Sequence, residues 1–269
     1  MHVVVCVKQV PDTTQVRVDP VTNTLIREGI PTVVNPFDYA ALECALTLKD
    51  RYGAKVTLIS MGPPDAVKSL KVCLAYGADR AVLLTDRAFA GSDTFATSYA
   101  LSSAVRRLSQ DEPVDIVLCG KQTIDGDTAQ TGPGIARHLG WQQITYIVGI
   151  SEVDAQARTI TAERKLERGK EHVRTTLPAI VTVVEDAPEI RYAGLPALLH
   201  SLRYTPEVWT TKDIEVDTTF LGIKGSPTKV KRIFAPPHRD GGGKVSVEEL
   251  GLTPAVASAV DILHKQDIL

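Results

Sequence analysis

The first 140 residues alternate between short apolar runs and longer segments with helical spacing. The apolar runs have the length of buried strands and are Val3–Val7, Lys55–Ser60, Arg80–Leu84 and Val114–Cys119. The helical segments are Pro36–Asp50, Asp65–Tyr76, Thr94–Leu108 and one that ends at Leu139. Parallel strands buried on both faces read as continuous apolar runs, and alternation with helices is typical of such sheets. We therefore predict an α/β fold with a doubly wound, mostly parallel sheet.

After Gly140 the pattern changes. Four segments rich in β-branched residues are predicted to extend the sheet: Ile144–Ile150, Thr159–Leu166, His172–Thr176 and Ala179–Val184. Beyond Arg191 the periodicity is lost, and only Pro254–Lys265 again has helical spacing. A tail of about 80 residues with little apolar periodicity cannot form its own core. The tail is therefore either a flexible appendage or an arm that gains stability by lying on another surface. We favour the second and predict one domain over residues 1–190 and an extended C-terminal arm over residues 191–269.

Charge and hydropathy exclude several classes of protein. The chain has 30 Lys and Arg against 32 Asp and Glu, a net charge of −2, and so lacks the basic excess of nucleic-acid-binding proteins. No apolar stretch approaches the roughly 20 residues of a membrane span, and we expect no direct membrane insertion. The start has no basic segment, and Lys8 interrupts its apolar run, which favours a strand over a signal peptide.

The cysteines and histidines suggest neither a metal site nor a disulfide framework. Four widely spaced cysteines lie among apolar neighbours: Cys6, Cys44, Cys73 and Cys119. We expect them to be small buried thiols in a reducing compartment, and the protein to be cytoplasmic. The six histidines are scattered and form no recognisable triad, so we expect solvated roles for all of them: His2, His138, His172, His200, His238 and His264.

Ligands of doubly wound sheets bind outside the carboxyl ends of the strands. Small, hydroxyl-bearing or turn-forming residues follow all four early strands, in Lys8–Asp12, Met61–Pro64, Thr85–Thr94 and Gly120–Gly134. Such residues allow backbone N–H groups to approach phosphate closely. The sequence therefore predicts a nucleotide site at this edge.

The loop after the fourth strand gives the clearest signal. Thr128, Gln130, Thr131 and Gly132 fall at or near the start of a helix, where unpaired N–H donors and a partial positive charge favour phosphate. The alternative is an ordinary helix start with Asp127 or Thr128 as N-cap. The spacing leaves both interpretations open.

Familiar catalytic motifs are absent from the sequence. There is no GxGxxG after the first strand, no GxxxxGK[ST], no GxSxG and no HExxH. We therefore predict no catalytic side chains. A bound cofactor would carry the chemistry, and the protein would hold and tune it.

Six motifs occur in a fixed order. They are VCVKQVPD (Val5–Asp12), VNPFDYAALE (Val34–Glu43), SMGPP (Ser60–Pro64), AYGADRAVLL (Ala75–Leu84), GKQTIDGDTAQTGP (Gly120–Pro133) and RYAGLPALL (Arg191–Leu199). In this order they resemble the β (small) subunit of an electron transfer flavoprotein over essentially the whole chain. The resemblance implies a Rossmann-like domain, related to the adenine nucleotide α-hydrolases, that binds nucleotide or FAD. It also implies a partner-docking loop and an arm that wraps the α subunit of a heterodimer.

Three segments resemble the electron-bifurcating branch, which includes nitrogen-fixation-associated proteins: Gly126–Thr128, Thr85–Thr94 and Gly222–Thr228. In that branch the β subunit of the αβ complex holds an FAD that accepts hydride from NADH. One electron passes through the α-subunit FAD to a high-potential acceptor such as an acyl-CoA dehydrogenase or quinone oxidoreductase. The other passes to ferredoxin or flavodoxin.

Two alternatives remain from the sequence. A conventional β subunit holds structural AMP and passes electrons from acyl-CoA dehydrogenases to a quinone reductase. A stand-alone nucleotide-binding or sensor domain of the universal-stress type has no use for the long arm.

The resemblance assigns the site residues. Those at the ends of the first two strands and the first helix start are Cys6, Val7, Lys8, Asn35, Pro36, Phe37, Asp38, Met61 and Gly62. The fourth strand and its loop contribute Gly120, Gly126, Asp127, Thr128, Ala129, Gln130, Thr131 and Gly132. Asp93, Thr94 and Thr97 are expected to reach the second phosphate or the isoalloxazine. Leu195 is expected to dock onto partner dehydrogenases.

Overall fold

The computed structural model of the chain describes residues 1–12, 31–185, 188–231 and 246–267. Residues 232–245 of the predicted arm, including His238, lie outside the described residues. The strands of the described part are β1 (His2–Cys6), β2 (Gln9–Pro11), β3 (Thr32–Val34), β4 (Lys55–Met61), β5 (Arg80–Leu84), β6 (Ile116–Gly120), β7 (Gln142–Asp154), β8 (Thr159–Leu166), β9 (Gly169–Thr176), β10 (Ala179–Val183) and β11 (Glu207–Trp209).

Within the described residues, nine strands form one sheet in the order β11–β5–β4–β1–β6–β10–β7–β8–β9. The strands from β11 to β7 are parallel, and β8 and β9 extend the sheet in antiparallel fashion. The pair β2–β3 is separate and antiparallel. From β1 the chain winds outward through β4 and β5 and then returns to the other side of β1 with β6. The predicted doubly wound, mostly parallel α/β sheet is confirmed.

Helices cover both faces of this sheet. The helices of the described residues are α1 (Pro36–Tyr52), α2 (Val67–Leu74), α3 (Thr94–Asp111), α4 (Thr131–Leu139), α5 (Leu195–Arg203), α6 (Gly222–Gly225), α7 (Val247–Leu250) and α8 (Leu252–Lys265). Of these, α1 to α4 pack on the strands of the sheet. Val3 and Val5 of β1 pack with α1 and α2, whereas Val4 and Cys6 pack with α3 and α4. Burial on both faces explains why the strands read as unbroken apolar runs. None of the described helices is long and apolar enough to cross a membrane.

The first compact unit extends further than residue 190. Residues Met1–Arg232 form one unit and Ile233–Leu269 a second. The segment predicted to be irregular after Arg191 contains α5 and β11, and β11 pairs with β5. Trp209 of β11 is buried, and the guanidinium groups of Arg80 and Arg107 each lie 5.7 Å from its ring centroid. A three-residue strand is too short to show periodicity, so the sequence pattern does not reveal it.

The second unit contains α7 and α8. The helix predicted over Pro254–Lys265 is confirmed and begins at Leu252. Leu252, Val256 and Ile262 of α8 are exposed.

The predicted burial of the four cysteines is confirmed, and the prediction for one histidine is wrong. All four cysteines are free and buried. His2 is only 1% exposed rather than solvated, because it begins a strand that is covered on both faces. Its Nε2 lies 2.9 Å from Thr57 Oγ1, and its Nδ1 lies 3.2 Å from the Glu112 carbonyl oxygen. Burial lowers the pKa of His2 below its usual 6.5, although the bond to Glu112 acts in the opposite direction.

This pKa predicts an acid-sensitive contribution to stability. Because the folded protein binds the His2 proton less readily than the unfolded chain, stability should fall as pH decreases from about 6.5 through the folded-state pKa. We expect His2→Gln to lose less free energy of unfolding than the unmodified protein between pH 7.5 and pH 5.5, as measured by urea unfolding. His200→Gln, at an exposed position of α5, is the control and should leave the pH dependence unchanged. An unchanged slope in His2→Gln would contradict the assignment.

Candidate nucleotide-binding site

The candidate site lies where the winding of the sheet reverses, between the carboxyl ends of β1 and β6. Such reversals leave a crevice in which α/β proteins bind ligands. The starts of α1 and α4 lie at the same edge, because these helices follow β1 and β6 along the chain. The structure therefore brings the ends of two neighbouring strands and the starts of two helices to one place.

Asp38 joins three of these segments. Its Oδ2 accepts the Lys8 N–H at 2.7 Å, and its Oδ1 accepts the Asn35 side-chain amide at 3.0 Å. The Asn35 amide also donates to the Gln122 carbonyl at 2.8 Å. Burial raises the pKa of the Asp38 carboxyl to about 7, although hydrogen bonds from Asn35, Lys8 and Gly120 act in the opposite direction. The polar side-chain atoms of Asn35 and Asp38 thus form hydrogen bonds that position the backbone around the site.

Gly120 and the start of α1 are packed too closely for a side chain. A Cβ atom on Gly120 would lie 2.4 Å from Asp38 Oδ1 and 2.7 Å from Phe37 Cβ. Pro36 is the first residue of α1, where its missing N–H costs nothing. The structure places Phe37 and Asp38 directly against the end of β6.

The loop before α4 has an unusual backbone. Asp127 and Ala129 are non-glycine residues with left-handed φ angles of 53° and 55°. Such conformations cost free energy and cluster at functional sites. The side chain of Gln122 donates to the Asp127 carboxylate, and Lys8 Nζ pairs with the Asp125 carboxylate at 2.7 Å. Both acidic groups are therefore engaged within the site's own framework.

The first turn of α4 presents donors without a side-chain cap. Its N-cap is Gln130, whose side chain makes no capping hydrogen bond, so the N-cap position is neither Asp127 nor Thr128. The Thr128 hydroxyl does lie 3.4 Å from the Gln130 nitrogen. Uncapped N–H groups and the helix dipole together favour an anion at this point.

Gly132 lets α4 approach the sheet. A Cβ atom there would lie 2.6 Å from Thr182 Cγ2 and 3.7 Å from Cys119 Cβ. Cys119 is the cross-strand neighbour of Cys6, and contact between their thiols together with burial raises the pKa of Cys6. The Cys6 thiol therefore stays protonated and adds no charge to the sheet.

Both carboxylate oxygens of Asp93 accept hydrogen bonds from within the chain. Its Oδ1 caps α3 by accepting the Ala96 N–H at 3.1 Å. Its Oδ2 accepts the N–H and the hydroxyl of Thr228 at 2.9 and 2.7 Å, and its own N–H donates to Ser226 Oγ at 2.8 Å. These bonds join the two segments Thr85–Thr94 and Gly222–Thr228, which lie far apart in the sequence.

The loop after β5 and the loop after β6 meet through a threonine in each. Thr94 Oγ1 lies 3.3 Å from Thr128 Oγ1, so the hydroxyl at the start of α3 lies beside the loop before α4. Thr97 lies one turn further along α3 and is half-buried. Of the three residues predicted to reach past the first phosphate, Thr94 is the one that the structure brings to the loop between β6 and α4.

Strand β4 contributes apolar surface to the site. Met61, at the end of β4, is partly buried on the face covered by α3 and α4. Gly62 donates its N–H to the Leu84 carbonyl at 3.1 Å. Val7 points into the core with α1 and α2, and its N–H donates to the Ile59 carbonyl at 2.8 Å. The Val7 side chain is therefore part of the core on which the site rests.

One pair near the site gives no signal in the sequence. Lys121 Nζ lies 5.1 Å from the centroid of the Tyr146 ring. Tyr146 has a left-handed φ of 63°, and its N–H donates to Thr182 Oγ1 at 3.1 Å. Thr182 also contacts Gly132, so this pair adjoins the surface beneath α4. A backbone conformation of this kind follows from tertiary packing and cannot be read from residue order.

These features fit a nucleotide phosphate. The donors at the start of α4, the close approach allowed by Gly132 and the hydroxyls of Thr94 and Thr128 suit phosphate oxygens. The described residues contain no group of His, Cys, Asp and Glu that could hold a metal ion.

Replacing Asp38 tests the framework. In Asp38→Asn, an NH2 group replaces one acceptor oxygen and faces N–H donors, which should lower the free energy of unfolding by about 1–3 kcal/mol. We also expect less nucleotide to be released per chain on denaturation of the purified protein. In the control Asp79→Asn, the altered carboxylate accepts the Val56 N–H at the opposite edge of the sheet, so nucleotide content should be retained. Equal nucleotide loss in both variants would contradict a local role for Asp38.

Comparison with known proteins identifies the family. Residues 22–201 match the electron transfer flavoprotein domain. The chain is 50% identical to the protein FixA of Azorhizobium caulinodans over 269 residues, which is 99% of this chain and 95% of that protein. It is 50% identical to the electron transfer flavoprotein subunit beta of Clostridium acetobutylicum (86% of this chain and 87% of that protein) and 43% identical to that of Megasphaera elsdenii over the full length of both. The chain therefore belongs to the electron transfer flavoprotein family and matches its β subunits.

Proposed function

We propose that this β subunit pairs with an electron transfer flavoprotein α subunit and holds the FAD of an electron-bifurcating complex. Bound FAD would supply hydride acceptance from NADH and single-electron transfer to the α-subunit FAD and to ferredoxin or flavodoxin. The observation that carries the proposal is the uncapped start of α4, which adjoins an open loop at Gly126 and the hydroxyl of Thr94.

The loop geometry favours a diphosphate over a single phosphate. Gly126 is exposed and has no side chain, and the neighbouring Thr128 side chain is short. The carboxylates of Asp125 and Asp127 are held by Lys8 and Gln122, which limits their repulsion of phosphate. A second phosphate can therefore extend past the start of α4 toward Thr94.

The remaining residues have supporting roles in this proposal. Thr131 and Gly132 donate backbone N–H groups to phosphate, and Thr94 and Thr128 donate hydroxyls. Met61 packs its thioether against the adenine ring, a contact that flat aromatic surfaces favour. The chain contributes binding and electrostatics, whereas the redox chemistry belongs to the cofactor.

The helix α5 is proposed as the docking surface for the high-potential partner, an acyl-CoA dehydrogenase or quinone oxidoreductase. Leu195 begins this helix and is 66% exposed, and Leu198, Leu199 and Leu202 of the same helix are exposed as well. A cluster of exposed leucines on one short helix is the kind of patch that marks protein–protein contacts.

A charge at the start of α4 should weaken cofactor binding. Thr128→Glu places a carboxylate where phosphate is proposed to bind, and we expect at least about a tenfold loss of FAD affinity. Ile124→Glu adds the same charge to an exposed position of the same loop and should retain FAD. The measurement is FAD bound per αβ complex during dialysis. Equal FAD retention in the two variants would contradict the placement of the phosphates.

Nucleotide analysis separates the bifurcating proposal from the conventional alternative. We expect the denatured αβ complex to release two FAD molecules and no AMP, because this site would hold the AMP portion of a second FAD. One FAD and one AMP per complex would instead identify a conventional electron carrier. Chromatography of the released nucleotides against protein concentration makes the measurement.

A further inference from the structure

Arg191 ties the chain just before α5 to α1. Its Nη2 lies 2.8 Å from Glu43 Oε1, its Nε lies 2.9 Å from Glu43 Oε2, and its backbone N–H donates to Glu43 Oε2 at 3.1 Å. The same Nη2 lies 2.8 Å from Asp50 Oδ2. One side chain therefore contacts two carboxylates that lie about two turns apart on α1.

This ion pair is partly buried and specific to arginine. The Glu43 side chain is 9% exposed, that of Arg191 is 31% exposed and that of Asp50 is 61% exposed. The hydrogen bonds to Glu43 raise the pKa of Arg191. A planar guanidinium can satisfy Glu43 in bidentate fashion and still reach Asp50, which a lysine ammonium cannot do.

The ion pair between Arg191 and Glu43 fixes the chain just before α5, the helix that carries the exposed leucines. Residues Tyr192 to Pro196 are all exposed, and Tyr192 is 98% exposed. After Arg191, the next part of this segment that packs on the unit is α5, which lies against α2. Position and direction of the chain four residues before Leu195 are therefore set by the Glu43 carboxylate.

The same helix shapes the candidate nucleotide site. α1 begins beside Asn35 and carries Asp38 in its first turn, and Glu43 and Asp50 follow on the same 17-residue helix. Arg191 therefore anchors the chain that leads into the exposed leucines to the same helix that carries Asp38 at the site.

We propose that Arg191 is a positioning residue for partner docking. It holds α5 so that the Leu195 surface meets an electron-transfer partner at a fixed distance and orientation from the bound cofactor. The inference rests on the proposed docking role of α5. It predicts that loss of Arg191 weakens partner recognition and leaves cofactor binding and electron transfer within the bound complex intact.

The test measures electron transfer by the αβ complex with purified acyl-CoA dehydrogenase and quinone oxidoreductase as probes. We expect Leu195→Ala and Arg191→Ala each to raise the KM for the responding partner about tenfold, with kcat and FAD content unchanged. The double variant should resemble Leu195→Ala alone, because both changes act on one surface. Arg191→Lys, which keeps a charge beside Glu43, should raise KM to an intermediate value. Arg164→Ala removes an ion pair with Glu171 between the antiparallel strands β8 and β9, away from α5, and should leave KM unchanged.

The outcomes distinguish the two proposals. If Leu195→Ala leaves KM unchanged with both probes, the docking role of α5 fails and this inference fails with it. If Leu195→Ala raises KM but Arg191→Ala and Arg191→Lys do not, the positioning role is overturned and the docking role stands. Additive effects in the double variant would also overturn it. Should Arg191→Ala fail to fold, the KM of Arg191→Lys decides alone.

Discussion

At the carboxyl edge of the sheet, the buried carboxylate of Asp38 accepts N–H groups from the end of β1, the start of α1 and the end of β6. A buried carboxylate is tolerated only when such donors satisfy it. Separating any of the three segments would remove one of the hydrogen bonds that this buried carboxyl group accepts. The segments outside the carboxyl ends of β1 and β6 are therefore held together by a specific set of hydrogen bonds as well as by the order of the strands.

Glycines and threonines also help to assemble the carboxyl edge of the sheet. Gly120 and Gly132 permit contacts that a Cβ atom would prevent, and the second of them sets α4 close to β6 and β10. The bonds between Asp93 and Thr228 fix the start of α3, and Thr94 then reaches Thr128. The edge is thus assembled from segments that span most of the chain, and its donors are in place without rearrangement of the strands.

The sequence predicts the parts of this structure that repeat and misses those that depend on single distant contacts. The strands β1, β4, β5 and β6 and the helices between them follow from apolar runs and helical spacing, because both faces of the nine-stranded sheet are covered. β11 has only three residues, and it joins the sheet through pairing with β5 and through contacts of Trp209 with Arg80 and Arg107. The left-handed backbone of Tyr146 and the contact of Asp93 with Thr228, 135 residues away, leave no local pattern. The loops of the site could be placed at the correct edge, whereas the structural use of Asn35, Asp38 and Asp93 required the folded geometry.

The central claim is that the start of α4 binds the phosphates of a dinucleotide. An experimental structure of the αβ complex, purified with its own bound nucleotide, tests this most directly. The account predicts phosphate oxygens within about 2.7–3.2 Å of the Thr131 and Gly132 nitrogens and a second phosphate directed toward Thr94. A nucleotide bound with its phosphates elsewhere, or a single phosphate with no continuation toward Thr94, would contradict it.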